Sequence, residues 1–158
     1  MSIEALNDVL RYDHETGDFW WKSTAPHKMA GKLANAKDKL GYVCIKFKGK
    51  MYKAHRIALY FWTGVWPTGD VDHINGLPND NRICNLREVS HSVNLQNQRK
   101  PRSDNQSGFL GVSPNGSKWR AEIKVDGKKV NLGTYATPQE AHQAYVKAKR
   151  EMHEGATL

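Results

Sequence analysis

Only two cysteines occur in this 158-residue chain, Cys44 and Cys84, and they form no C-x-x-C pair. That excludes a disulfide framework. It also excludes a cysteine-built structural zinc site, which needs more ligands at close spacing. Reduced thiols and a cytoplasmic protein are therefore expected. No apolar run approaches the roughly 18 residues that a membrane span needs, so no membrane association is expected. The opening MSIEALNDVLRYD has neither a basic nor an apolar signal region, and no secretion signal is expected. Acid is also scarce: 16 Asp and Glu stand against 24 Lys and Arg, a net charge of +8. That balance is compatible with nucleic acid but does not prove it. The length allows one medium domain or two small ones with thin cores.

What is present is concentrated in 71–98, VDHINGLPNDNRICNLREVSHSVNLQNQ. Asp72 and His73 are adjacent, Asn85 follows Asp72 by thirteen positions, and Asn94 comes nine later. Asp72 offers carboxylate oxygens and Asn94 an amide oxygen, donors that suit Mg²⁺ or Mn²⁺. His73 has an ordinary pKa of roughly 6.5 and can take a proton from water. Taken singly these features are bland: Asn-Gly and Pro-Asn-Asp-Asn are turn chemistry, and an Asp-His pair also serves as a structural hydrogen bond. Residues 71–100 carry +1, whereas 1–70 carry +4 and 101–158 carry +3. A nearly neutral chemical centre with basic flanks suits a site held on DNA by its neighbours.

The segments D-H-I-N-G, D-N-R-I-x-N-L and S-x-x-x-N-x-x-N resemble the HNH endonuclease motif in its His-Asn-Asn form, found in phage and intron-homing enzymes. The resemblance implies His73 as general base and Asp72 and Asn94 as holders of one divalent metal, Mg²⁺ or Mn²⁺. Asn85 would be structural, fixing the loop and the orientation of His73. It implies a ββα-metal arrangement, with Asn94 on a helix facing back toward Asp72. It also implies 5′-phosphate and 3′-hydroxyl products, and the cytoplasm of a prokaryotic or phage-infected cell. The pair His55-Arg56 adds to the likeness. Arg56 is a candidate phosphate contact, and His55 is as readily a structural histidine.

Around this centre the pattern predicts an α+β protein. Residues 4–12 read as a short amphipathic helix and Phe19–Trp21 as an aromatic core strand. Residues 23–40 read as a lysine-rich loop, and Gly41–Lys53 as a hairpin turning at Gly49-Lys50. Ala54–Thr63 reads as a helix with Ile57, Ala58, Phe61 and Trp62 inward, stopped by Gly64. Val71–Ile74 should be a strand, Ile83–Val89 its return, and Ser90–Gln98 a helix. The expected domains are 1–98, a basic linker 99–107 carrying Arg99, Lys100 and Arg102, and a second module over 108–158.

That module reads as three antiparallel strands and a helix. The strands are Phe109–Val112, Lys118–Val125 and Lys128–Tyr135, with an Asp126-Gly127 turn. Trp119, Ala121, Ile123 and Val125 share one face, and Lys118, Arg120, Glu122 and Lys124 the other. Val130 and Leu132 alternate with Lys129 and Asn131. Thr137-Pro138-Gln139-Glu140 is a capping box opening a helix with a stripe of Ala141, Ala144, Tyr145, Ala148 and Met152, stopped at Gly155. S-G-x-x-G-V, W-R-A-x-I, L-G-T-Y and this helix resemble an AP2 DNA-binding domain. Ser113, Lys124, Lys129 and Asn131 depart from the plant pattern. The polar sheet face, with Lys118, Arg120, Glu122, Lys124, Lys129 and Asn131, is the expected surface for duplex DNA.

The sequence thus points to a sequence-directed, metal-dependent DNA endonuclease with no small-molecule cofactor. As a monomer it would nick; as a homodimer it would cut both strands. Two other readings stand beside it. One is a catalytically silent DNA-binding regulator. The other is an RNA-directed protein, against which stands the lack of an aromatic RNA-reading strand.

Overall fold

A computed structural model describes residues 4–153. The chain divides into two compact units, Met1–Ser90 and His91–Leu158. The first unit opens with α1 (Ala5–Val9) and continues directly into β1 (Leu10–Tyr12), which pairs antiparallel with β2 (Phe19–Trp21). The helix expected over 4–12 is cut short because Leu10 adopts extended backbone and pairs with Trp21. Both residues are buried there, so strand burial outweighs three more residues of helix. Tyr12 stacks on Phe19 at 4.7 Å, and Phe61 meets both rings edge-on. The aromatic run is core, as expected.

β3 (Cys44–Phe47) and β4 (Lys50–Lys53) form the hairpin. The turn is Lys48-Gly49, one residue earlier than expected, with both residues at positive φ as a primed two-residue turn requires. α2 (Ala54–Thr63) follows at once and stops at Gly64, whose φ of 75° lets its N–H reach the Tyr60 carbonyl. Ile57 and Ala58 are fully buried, but Trp62 is exposed, and Leu59 and Tyr60 take the inward face beside them. β5 (Asp70–His73) pairs with β6 (Leu86–Val89), and a 3₁₀ turn (Ile83–Asn85) leads into β6. Leu6, Leu10, Phe19, Val43, Ile45, Ile57, Val71 and Leu86 belong to one core that supports all these short elements.

The second unit begins with α3 (His91–Gln96). Its sheet has the order β7 (Val112–Asn115), β8 (Lys118–Val125), β9 (Lys128–Tyr135), all antiparallel. β7 starts three residues later than expected. The Ser107 hydroxyl accepts from the Phe109 N–H at 3.1 Å and donates to the Val112 carbonyl at 3.0 Å, and Gly111 has φ of 70°, so 107–111 is a turn. A bulge at Leu132 shifts the β8–β9 register, so that Ala121 faces Gly133 while Glu122 faces Asn131. α4 (Pro138–Met152) carries the expected capping box between Thr137 and Glu140. Ala141 and Ala148 are buried, whereas Met152 is exposed. The expected stop at Gly155 lies outside the described residues. Lys149, only 1% exposed, donates to the Gln98 carbonyl at 2.6 Å, tying the residue that precedes the expected linker to α4. Among the described residues, no helix is long and apolar enough to cross a membrane.

Gly111 is the tightest point of this unit. A β-carbon there would lie 1.9 Å from the Tyr145 ring, at a φ that L-residues avoid. Gly111→Ala should therefore destabilise the second unit by at least ~2 kcal/mol, read as a lowered thermal midpoint.

Candidate functional site

His73 closes β5 and is 5% exposed; Asp72 beside it is 7% exposed. The His73 Nε2 lies 3.2 Å from the Asn81 side-chain oxygen. An amide oxygen can only accept, so that contact places the ring hydrogen on Nε2. Asn81 is itself buried, and its carbonyl accepts from the Tyr12 hydroxyl at 2.6 Å. Gly17 backs this brace. A β-carbon there would lie 2.6 Å from the Arg82 nitrogen.

Asn85 does not hold His73 through a side-chain bond of its own. Its side-chain oxygen accepts from the Asn75 N–H at 2.9 Å. Its amide donates to the Asn75 side chain at 3.0 Å and to the Asp80 carbonyl at 2.8 Å. The Asn75 amide also donates to the Asp80 carboxylate at 2.6 Å. The role expected of Asn85 is thus divided: Asn85 shapes the loop, and Asn81 meets the ring. Arg82 grips both Asp80 oxygens, at 2.8 and 2.7 Å. This contact, followed by Asn75, holds the Asp80 carboxyl down at about 2.

Cross-strand register brings Arg87 opposite Asp72, and its Nε and Nη2 donate to one carboxylate oxygen at 3.0 and 2.9 Å. Sequence reading missed Arg87 and Asn81. The first is visible only from the pairing of β5 with β6, the second only from the path of the loop. His55, read as readily structural, is buried beside His73. Its ring meets His73 edge-on at 5.0 Å, and Tyr42 approaches the two histidines at 5.5 and 5.8 Å. The buried His55 Nδ1 has no hydrogen-bond partner. Burial, then His73, Arg56 and Lys53, push the His55 imidazole down to about 3, with Asp38 pulling the other way. Burial also lowers His73, against the upward pull of Asn81, Asp72 and Asp80.

Arg56, expected on a phosphate, is instead spent inside the unit. It donates to the Gly69 carbonyl at 2.8 Å and to that of Pro67, and its guanidinium lies over Trp66. It anchors the chain entering β5. Asn94 lies on α3, in the second unit. Asp72, the other expected metal donor, lies on β5 in the first unit. Among the described residues no group of three or more His, Cys, Asp and Glu is placed to hold a metal.

In the second unit, strand pairing sets Lys118, Arg120, Glu122, Lys124, Lys129 and Asn131 on one sheet face. Arg120 donates to the Asn115 side chain at 3.1 Å and lies 3.8 Å from Glu122. The Asn131 oxygen accepts from the Gly133 N–H at 3.0 Å, which caps the bulge. Lys100 and Arg102 are exposed and Arg99 half-buried; Arg102 pairs with Asp104 at 3.4 Å.

Residues 52–96 match the family model described as HNH endonuclease, a span that runs from β4 through α3. Protein 3.8 of Escherichia phage T7 is 31% identical over 110 residues, covering 66% of this chain and 89% of that protein. The chain belongs to the HNH endonuclease family. No solved structure matches it. Residues 52–96 are thus the HNH nuclease domain of the chain, and DNA is the substrate that such a domain implies.

The two histidines give this HNH endonuclease a pH signature. A folded pKa near 3 for His55 lies below the unfolded value of roughly 6.5. Between these values the unfolded chain binds a proton that the folded chain refuses, so stability is complete above the window and falls as pH falls through it. Thermal melts should show stability dropping by about 2 kcal/mol from pH 7 to pH 4.5. His55→Gln should flatten that slope.

Proposed function

We propose that this protein is a divalent-metal-dependent DNA endonuclease, a homing enzyme of a phage or mobile element, which hydrolyses a phosphodiester at a site selected by its second unit. The buried His73, oriented by Asn81 within the family-matched segment, carries this reading. With hydrogen on Nε2, the Nδ1 lone pair is the base that takes a proton from water. The water oxygen bonds to phosphorus as the 3′ oxygen leaves in line, giving a 5′-phosphate and a 3′-hydroxyl. Asp72 and Asn94 would hold one Mg²⁺ or Mn²⁺; their oxygen donors fit a hard cation, and no thiolate is among them. When bound, the ion supplies positive charge against the phosphate and the departing oxygen. Arg87 keeps Asp72 aimed, and Asn85 keeps the loop that carries Asn81.

The second unit, a three-stranded sheet backed by α4, is read as an AP2-like module. Lys118, Arg120, Lys124 and Lys129 would meet phosphates or guanine edges, and Arg99, Lys100 and Arg102 would extend the contact. Glu122 would accept from cytosine. Asn131 would turn its amide toward adenine while its oxygen stays on the bulge. One such centre per chain nicks as a monomer, and a dimer cuts both strands.

The test is supercoiled plasmid from a phage host, with Mg²⁺ or Mn²⁺ or with EDTA. Wild type should yield open circles only with metal. His73→Ala should keep DNA binding and lose at least ~10²-fold in cutting. Asn81→Ala, which releases the ring, should lose roughly 10–100-fold. Tight binding with no cutting by wild type would instead identify a silent DNA-binding regulator.

A further inference from the structure

Two clamped turns beside His73 present leucines to solvent. In the first, the Asp38 side chain accepts from the N–H groups of Leu40 and Tyr42 at 2.9 and 3.0 Å. The Asp38 N–H donates to the Tyr42 carbonyl at 3.0 Å, and Lys53 pairs with the other carboxylate oxygen. The second turn is the loop that Asn85, Asn75 and Asp80 hold, and it opens with the Gly76 N–H on the His73 carbonyl at 2.8 Å. The two turns touch: a β-carbon at Gly41 would lie 3.3 Å from the Pro78 ring. Leu40 and Leu77 flank that contact, 76% and 55% exposed. The adjoining Tyr42 ring lies 5.8 Å from that of His73.

Hydrogen bonds this dense fix the turns, so neither can fold back to bury its leucine. An exposed leucine alone is unremarkable in a soluble protein. Here two stand on touching, braced turns, one joined to His73 by the Gly76 hydrogen bond and the other by the Tyr42 ring. Lys37 and Lys39, both exposed, lie on either side of Asp38 and supply charge for phosphates. Both leucines stand on turns, outside the helices and strands of the kind that fill a major groove. Apolar side chains between positive ones are the tool by which proteins part base steps from the minor groove.

We propose that Leu40 and Leu77 form a wedge that enters the minor groove of duplex DNA next to the phosphate served by His73, partly unstacking one base step. This rests on the endonuclease reading above. Its consequence is that cutting depends on how readily the step deforms, so flexible pyrimidine–purine steps are preferred at the nick.

The nick made by wild type on plasmid is first mapped by primer extension. A synthetic duplex of that sequence then carries 2-aminopurine at the bases flanking the nick. Full-length His73→Ala should raise the fluorescence on binding, because the probe brightens when unstacked. The same chain with Leu40→Ser and Leu77→Ser should bind without the rise. In the active chain, the double substitution should slow cutting of the intact duplex roughly tenfold or more. A mismatch at the step should restore most of that loss. The thermal midpoint should not move, since both side chains are exposed. Nicking by wild type with no fluorescence change would overturn the wedge and leave the nuclease standing. So would a double variant whose loss is the same on intact and mismatched duplex. If wild type makes no nick at all, the endonuclease reading falls and the wedge falls with it.

Discussion

Three hydrogen bonds on one side-chain amide, that of Asn85, determine the shape of everything around His73. The amide is buried, so it cannot exchange those partners for water, and losing it would strand the Asn75 N–H donor and the Asn75 and Asp80 oxygen acceptors. Each contact depends on the one before it. Asn85 holds Asn75 and Asp80, their spacing sets the path of the loop, and the loop delivers Asn81 to the imidazole. The apolar core does not supply this order. It gives β5 and β6 a platform, while polar contacts decide what stands on it.

The two units use charge in opposite ways. In the first, the charged groups nearest the histidines are internally matched: Asp72 with Arg87, Asp80 with Arg82, Asp38 with Lys53. Burial keeps both imidazoles toward their neutral forms within that frame. A neutral ring is the useful state for a base, since a protonated one has no lone pair to offer. In the second unit the lysines of the sheet face are left to solvent. Such a surface costs little to hold, and it attracts an anion over a distance set by ionic strength.

Much of this was legible in the sequence wherever a local rule decides the outcome. The Gly64 stop, the Asp126-Gly127 turn and the Thr137 capping box each depend on a few adjacent residues, and each is where the pattern puts it. Asp72, His73 and Asn85 were legible through spacing. What escaped was decided by distant partners. Leu10 leaves the helix because Trp21 is across from it, and Trp62 faces water because Leu59 and Tyr60 fill the inward side. The Leu132 bulge reverses the alternation that would otherwise govern β9. Arg56 is a cation on the sequence and a carbonyl bridge in the fold, and nothing local distinguishes the two. Asn81 and Arg87 belong to the same class: register and loop path, not residue type, bring them to the site.

The bond from Tyr12 to Asn81 spans 69 residues of chain. Synthesis runs from the N-terminus, so the Tyr12 prop is made first and must wait for nearly all of the first unit before its partner exists. Closing so long a loop is slow and is rewarded only at the end. The same span makes the family-matched segment less than a folding unit. A chain begun after Gly17 would retain every residue from β4 to α3 and lose the brace that aims His73.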